Sequence, residues 1–176
     1  MTIVETERLR LRWLTPNDAA FMLELVNDPT WIEFIGKRNV NTVEEARTYI
    51  TTKYVADYNG RGFGLNLVEL KDSGMPVGIC GLIKRETLED VDVGFAFLPR
   101  YAGQGYATES AAAVLEHGRR ALGIGRIVAI TLPHNLRSIR VLEKAGLRFE
   151  RIIRMAGDDE DLALYAQEPN EEWLRK

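Results

Sequence analysis

Cysteine and histidine are nearly missing from this chain. A single cysteine, Cys80, excludes a disulfide framework and a cysteine-rich zinc site within the chain. The two histidines, His117 and His134, stand too far apart for a helical metal pair, so no metal is expected. Positive charge is not in excess: 23 basic residues face 26 acidic ones, a net charge of -3. That balance is poor for a protein that lives on nucleic acid or anionic lipid. The longest apolar run, around Ala111 to Leu115, is far too short to span a bilayer. The opening residues carry no signal-peptide core, and no repeat, low-complexity stretch or linker divides the chain. These absences predict a cytoplasmic chain with neither a nucleic-acid nor a membrane partner. Its 176 residues fit one domain, 1–176, and its apolar (45%) and charged (28%) fractions are those of an ordinary globular protein. A chain of this size buries roughly 70% of its unfolded surface and needs no covalent staples.

What is present reads as an alternation of strands and helices. Leu9, Leu11 and Trp13 alternate with Arg8, Arg10 and Arg12, which predicts a half-buried strand. Thr15, Pro16 and Asp18 form a helix start, Phe21, Met22, Leu25 and Val26 its buried stripe, and Pro29 its end. Thr42 and Glu45 form a capping box for a second helix with Ala46, Tyr49, Ile50 and Tyr54 on one face, ending at Gly60. Short runs rich in Val, Leu, Ile and Phe follow at 63–70, 77–83 and 91–98, separated by turn chemistry, and predict an antiparallel meander. An alanine-rich helix from about Tyr106 to Leu122, a strand at 126–132, a helix from Asn135 to Gly146 and a final hairpin at 149–155 and 162–167 complete the chain. The expected order is β-α-α-β-β-β-α-β-α-β-β, an α/β mixed sheet in which the 91–98 and 126–132 strands are parallel neighbours.

One stretch carries chemistry. Arg100-x-x-Gly103-x-Gly105 and the following Tyr106, Ala107 and Thr108 lie where a strand ends and a helix begins. Glycine lets a ligand approach the backbone, and the first helical amides lack internal partners, so this turn is suited to a pyrophosphate. The bland alternative is an ordinary turn whose glycines serve packing. A P-loop string is absent, and where a dinucleotide fold wants a ribose-binding acid the chain has Thr131-Leu-Pro-His-Asn135. A nucleotide-binding α/β domain is thereby demoted.

A second cluster follows the next strand: Asn135-x-x-Ser138-x-x-Val141 through Gly146 and Phe149. With the Glu7–Arg12 opening, the Asp92–Phe95 strand and the glycine turn, the chain resembles the GNAT superfamily of acyl-CoA-dependent N-acetyltransferases. The resemblance is greatest to the branch that includes the ribosomal-protein alanine N-acetyltransferases. It implies a sheet splayed between the strands ending at Leu98 and Leu132, with acetyl-CoA as cosubstrate and no metal. The pantetheine arm would pair with backbone near Phe97 and Leu98. The pyrophosphate would rest on the turn from Arg100 through Gly103, Gln104, Gly105, Tyr106 and Ala107 to Thr108, and Asn135 would touch the arm from the other side.

The resemblance also implies an amine acceptor, either a protein N-terminus or a small molecule, attacked directly in a ternary complex. Asp92 sits where relatives often carry a glutamate base, and acting through water it competes with a plain solvent-facing aspartate. Ser138 could hydrogen-bond the sulfur, or simply cap its helix with Asn135. Many relatives carry a tyrosine acid where this chain has Leu142. That loss leaves a CoA-binding module without turnover as the alternative. Trp31 and Phe34 fall where relatives line the acceptor pocket, though such aromatics are often core. Cys80 reads as a small buried hydrophobe and Glu109 as favourable charge at a helix start. A homodimer is left open.

Overall fold

The computed structural model describes residues 1–167. The alternation at the start makes β2 (Leu9–Trp13) a strand with one apolar face, and Leu9 and Leu11 are fully buried. Its polar face is paired as well as wet. Glu69, on the adjoining β3 (Leu65–Leu70), accepts from Arg10 Nη1 at 3.3 Å and Arg12 Nε at 3.1 Å. A strand not anticipated from the sequence, β1 (Thr2–Glu5), precedes β2 and pairs with it antiparallel. Thr6 closes the turn between them, donating its amide to Leu9 O and accepting Leu9 N on its hydroxyl. Four residues at a sheet edge show too little periodicity to be read alone.

The helical layer is also more divided than its apolar stripes suggest. A short 3-10 turn at Pro16–Asp18 leads into α1 (Ala19–Asn27). Pro29 does end α1, but it also opens α2 (Pro29–Phe34), for which Asp28 is the N-cap and accepts Thr30 N at 2.8 Å. Proline is tolerated at a first helical position because its missing N–H would have no partner there. The Thr42–Glu45 capping box opens α3 (Val43–Tyr49) as expected. The rod then loosens into a π-helical stretch, Ile50–Val55, before α4 (Ala56–Arg61). The wider turn sets Tyr49 edge-on against Tyr54, five positions on, with centroids 5.5 Å apart. The helix ends at Gly62, not Gly60: Gly62 takes φ 77° and returns its amide to Tyr58 O.

The meander forms as read: β3, β4 (Pro76–Ile83) and β5 (Val91–Phe97) pair antiparallel. The crossover helix α5 (Tyr106–Arg120) leads to β6 (Ile127–Thr131), α6 (Leu136–Lys144) follows, and β7 (Arg148–Ile153) and β8 (Leu162–Gln167) close the sheet. The order across the eight strands is β1-β2-β3-β4-β5-β6-β8-β7, and β5–β6 is the parallel pair. Apolar residues fill both faces. Leu9, Leu11, Val68, Val93, Ala111, Leu115, Leu142 and Tyr165 pack on the α5–α6 side. Met22, Trp31, Tyr54, Leu67, Ile79 and Leu98 pack on the side of α1–α4. Among the described residues no helix is long and apolar enough to cross a membrane.

Candidate active site

The parallel pair is joined at only two positions, Val91 with Ile127 and Asp92 with Val128. Beyond them β5 runs on to Phe97 and β6 to Thr131 without pairing, so the sheet parts in the middle. The register against β4 shows which groups face the gap. Leu98 N donates to Val77 O at 3.0 Å, and backbone groups alternate sides along a strand. The even-numbered residues of β5 therefore bond to β4, the Val93 amide closes the Asp92–Val128 rung against β6, and the carbonyl of Val93 and the amides and carbonyls of Phe95 and Phe97 face the opening. This corrects one expected contact. Leu98 has its amide on Val77 and its carbonyl taken by Tyr101 N, and its side chain is 1% exposed, so it is spent on the fold. Phe97 remains available.

The glycine turn stands at the open end of this gap. Gly103 and Gly105 have φ of 75° and 81°, in the left-handed region that glycine enters freely. Residues 102–105 are exposed. The first backbone bond of α5 runs from Glu109 N to Gly105 O at 3.0 Å. Among the described residues, none of the amides from Gly103 through Thr108 donates to a protein acceptor. A Cβ on Gly103 would meet nothing within 4 Å, so the space in front of the turn is open. A row of free amides at the start of a 15-residue helix is chemically suited to an anion of phosphate type.

Two arginines flank the turn. Arg100 is drawn back onto α1, its guanidinium paired with Glu24 and set against the Tyr101 ring. Its guanidinium is thereby held against α1. Arg8 reaches in from the β1–β2 hairpin. Its Nη1 donates to Gln104 O at 2.8 Å, its Nε to Glu109 Oε2 at 2.7 Å, and its guanidinium lies 4.6 Å from the Tyr106 ring centre. From sequence, Arg8 has no role beyond the polar side of an alternating strand and a family-like opening, because its partners are about a hundred positions away. Glu109 is more than dipole chemistry: it also accepts the Thr6 hydroxyl and the Arg8 amide. Burial pushes its carboxyl up, but these donors together outweigh that and hold it below the ordinary value.

Asp92 occupies the closed end of the gap, on the last paired rung. It does not face solvent: it is 1% exposed and accepts Arg85 Nε on Oδ1 at 3.1 Å. Burial raises its pKa, and the charge and hydrogen bond of Arg85 only partly offset that. Across the gap, Asn135 caps α6 by accepting Ser138 N on Oδ1 at 3.2 Å. That capping engages the serine amide and leaves its hydroxyl unbonded among the described residues. Leu142 is 1% exposed and packs in the core, so no proton donor stands at that position. Phe34 and His134 meet with ring centres 5.8 Å apart, linking α2 to the loop after β6 at the mouth. Trp31 is core instead: it is 5% exposed and donates its indole N–H to Gly36 O. Cys80 is fully buried, and burial pushes its thiol up to about 12, far from a nucleophile's range.

Comparison with known proteins bears on this geometry. Residues 8–148 match the family described as acetyltransferase (GNAT) domain. An uncharacterized N-acetyltransferase of Bacillus subtilis, YnaD, is 31% identical over 147 residues, which cover 84% of this chain and 83% of that one. A GNAT-family acetyltransferase structure from Bacillus anthracis superposes with a TM-score of 0.78 at 28% identity, covering 96% and 98% of the two chains. The ribosomal L7/L12 α-N-protein acetyltransferase RimL, solved with coenzyme A, gives a TM-score of 0.79 at 20% identity, covering 96% and 98%. At that identity it is a likeness of fold.

Proposed function

Because this chain belongs to the GNAT acetyltransferase family, we propose that it transfers the acetyl group of acetyl-CoA to a primary amine, either a protein N-terminal α-amine or a small-molecule amine. Enzymes of this fold use acetyl-CoA, and the reading here rests on one observation: the unpartnered amides of Gly103 through Thr108 beside the gap between β5 and β6. The amides take the diphosphate. The inward backbone groups of Phe95 and Phe97 bind the pantetheine arm as a neighbouring strand would. About 17 Å of strand separate Phe97 from Asp92, so the arm runs from the turn toward the closed end.

Direct attack needs a neutral amine. An α-amine, ordinarily near 7.7–8.0, is partly neutral at pH 7, whereas a lysine near 10.4 is almost wholly charged. An N-terminal or weakly basic amine is therefore the acceptor that this site activates with least help. The amine nitrogen bonds to the acetyl carbon, the carbon–sulfur bond breaks, and the sulfur leaves as a thiolate. Asp92 receives the amine proton through water, its carboxyl held in place by Arg85. Of the two strand amides, that of Phe95, nearer Asp92, steadies the carbonyl oxygen as charge develops, which leaves the Phe97 groups and the Phe95 carbonyl to the arm. The Ser138 hydroxyl offers a hydrogen bond to the departing sulfur, in place of a tyrosine that the core residue Leu142 cannot supply. Phe34 and His134 form the acceptor side of the mouth, with Trp31 behind them.

Thermal unfolding with and without ligand tests the reading. Acetyl-CoA at a hundred times its Kd should add about 2.7 kcal/mol, raising the midpoint by roughly 5–11 °C at this chain length. NAD and ATP should not, and Gly105→Val should remove the shift. Thiol release across a panel of peptides and small amines then tests turnover. Tight binding with no acceptor-dependent release would favour the CoA-binding module, and no binding would end the proposal.

A further inference from the structure

We propose that Arg8 is a further phosphate-binding residue of the coenzyme site, contributed by the β1–β2 hairpin from outside the glycine motif; this rests on the acetyl-CoA reading above. A guanidinium carries five N–H donors. Here Nε is spent on Glu109 Oε2 at 2.7 Å, one Nη2 donor on the same oxygen at 2.6 Å, and one Nη1 donor on Gln104 O at 2.8 Å. One donor remains on each Nη nitrogen. These are at the turn itself: a Cβ built on Gly105 would lie 3.2 Å from Nη2, so the guanidinium edge borders the row of free amides. The side chain is 44% exposed, open to a ligand arriving from solvent.

The surroundings fix the guanidinium in that place. Glu109 binds it side-on through Oε2, and its other oxygen is filled by Thr6 Oγ1 at 2.6 Å and Arg8 N at 3.1 Å. The carboxylate thus faces the hairpin and not the ligand. Tyr106 backs the guanidinium plane at 4.6 Å. A planar, charged fork held rigid beside helix-start amides is suited to phosphate oxygens, and its ordering is complete before the ligand arrives. Arg100, the arginine within the motif, is held against Glu24 of α1, whereas Arg8 is held at the turn itself. The cation at this turn is supplied from elsewhere in the chain.

Two phosphate groups of the coenzyme share this chemistry, the diphosphate and the 3′-phosphate, and the test separates them. kcat/KM is measured for acetyl-CoA, acetyl-dephospho-CoA and S-acetyl-pantetheine in wild type, Arg8→Gln and Arg8→Lys, with direct calorimetric Kd for CoA. Arg8→Gln should lower the ratio of acetyl-CoA to S-acetyl-pantetheine efficiency about tenfold, the scale of one charge-assisted hydrogen bond, and Arg8→Lys should restore part of it. An equal loss with acetyl-dephospho-CoA assigns the diphosphate, and a loss confined to acetyl-CoA assigns the 3′-phosphate. A purely structural staple would weaken both thioesters alike, and an unchanged ratio overturns the assignment. Wild type that binds no CoA by calorimetry would instead remove the function proposed above, and this inference with it.

Discussion

At the scale of single residues, the gap is defined by what each side chain has already committed. Asp92 is the sharpest case. Burial raises its carboxyl pKa, which places a proton acceptor closer to neutral pH, while Arg85 keeps it from becoming an uncompensated buried charge. Asp92→Asn should reduce kcat about a hundredfold and leave the Kd for acetyl-CoA close to wild type, as measured by calorimetry beside steady-state kinetics. The part of the acid limb that reflects Asp92 taking up its proton should vanish in the variant, leaving the part set by protonation of the acceptor amine. Turnover equal to wild type at every pH would remove Asp92 as base. The motif residues Gly103 and Gly105 could be read directly because left-handed backbone has a one-letter signature. Leu98 could not: its amide is consumed by a register across β4 that no local pattern reveals. The contacts of Arg8 were hidden for a related reason, since its partners Gln104 and Glu109 belong to the glycine turn and to α5.

At the scale of elements, caps and ion pairs decide where helices start. Asp18 joins the end of β2 to the opening of the helical layer: it accepts Arg12 Nη2 at 2.8 Å, Arg12 Nη1 at 3.0 Å and Thr15 N at 2.8 Å. Burial pushes this carboxyl up, yet Arg12 and Thr15 together hold it below its ordinary value. A carboxyl depressed in the folded state contributes stability above its unfolded pKa, near 3.9, and loses it as pH falls through the folded value. Thermal midpoints taken from pH 6 down to pH 3 should therefore fall less steeply in Asp18→Asn than in wild type, with the variant less stable at pH 6. Parallel curves would show that the junction carries no linkage. The capping box at Thr42 and Glu45 was legible because both partners lie three residues apart. The π-helical stretch was not, since Ala46, Tyr49, Ile50 and Tyr54 satisfy helical spacing whether the turn is tight or loose. Packing of Tyr54 into the core, with Tyr49 against it, selects the loose one.

At the scale of the whole molecule, the sheet is continuous on one side of β5 and nearly interrupted on the other. The meander was foreseen from short apolar runs separated by turn chemistry, and the crossover from the helix between the 91–98 and 126–132 strands. The interruption was foreseen only through family resemblance, because nothing in the residues of 93–97 marks them as unpaired on one edge. Hydrogen exchange can test the two halves of the site together. Without ligand, the amides of Gly103 through Thr108 should exchange quickly. Acetyl-CoA should slow them together with Phe95 and Phe97, while the β4-facing amides of β5 stay protected throughout. Slowing of the turn alone would dissociate it from the gap and count against an arm lying between the strands.

The brief contact between β5 and β6 has a kinetic implication. Under the function proposed above, a coenzyme arm that hydrogen-bonds inside the cleft would behave as one more, temporary strand, and the protein would be most fully zipped when loaded. Departure of the spent coenzyme then resembles peeling a strand from a sheet, one hydrogen bond after another, beginning at the glycine turn. Residues that grip the turn would accordingly govern the off-rate at the finish of the cycle as much as capture at its beginning.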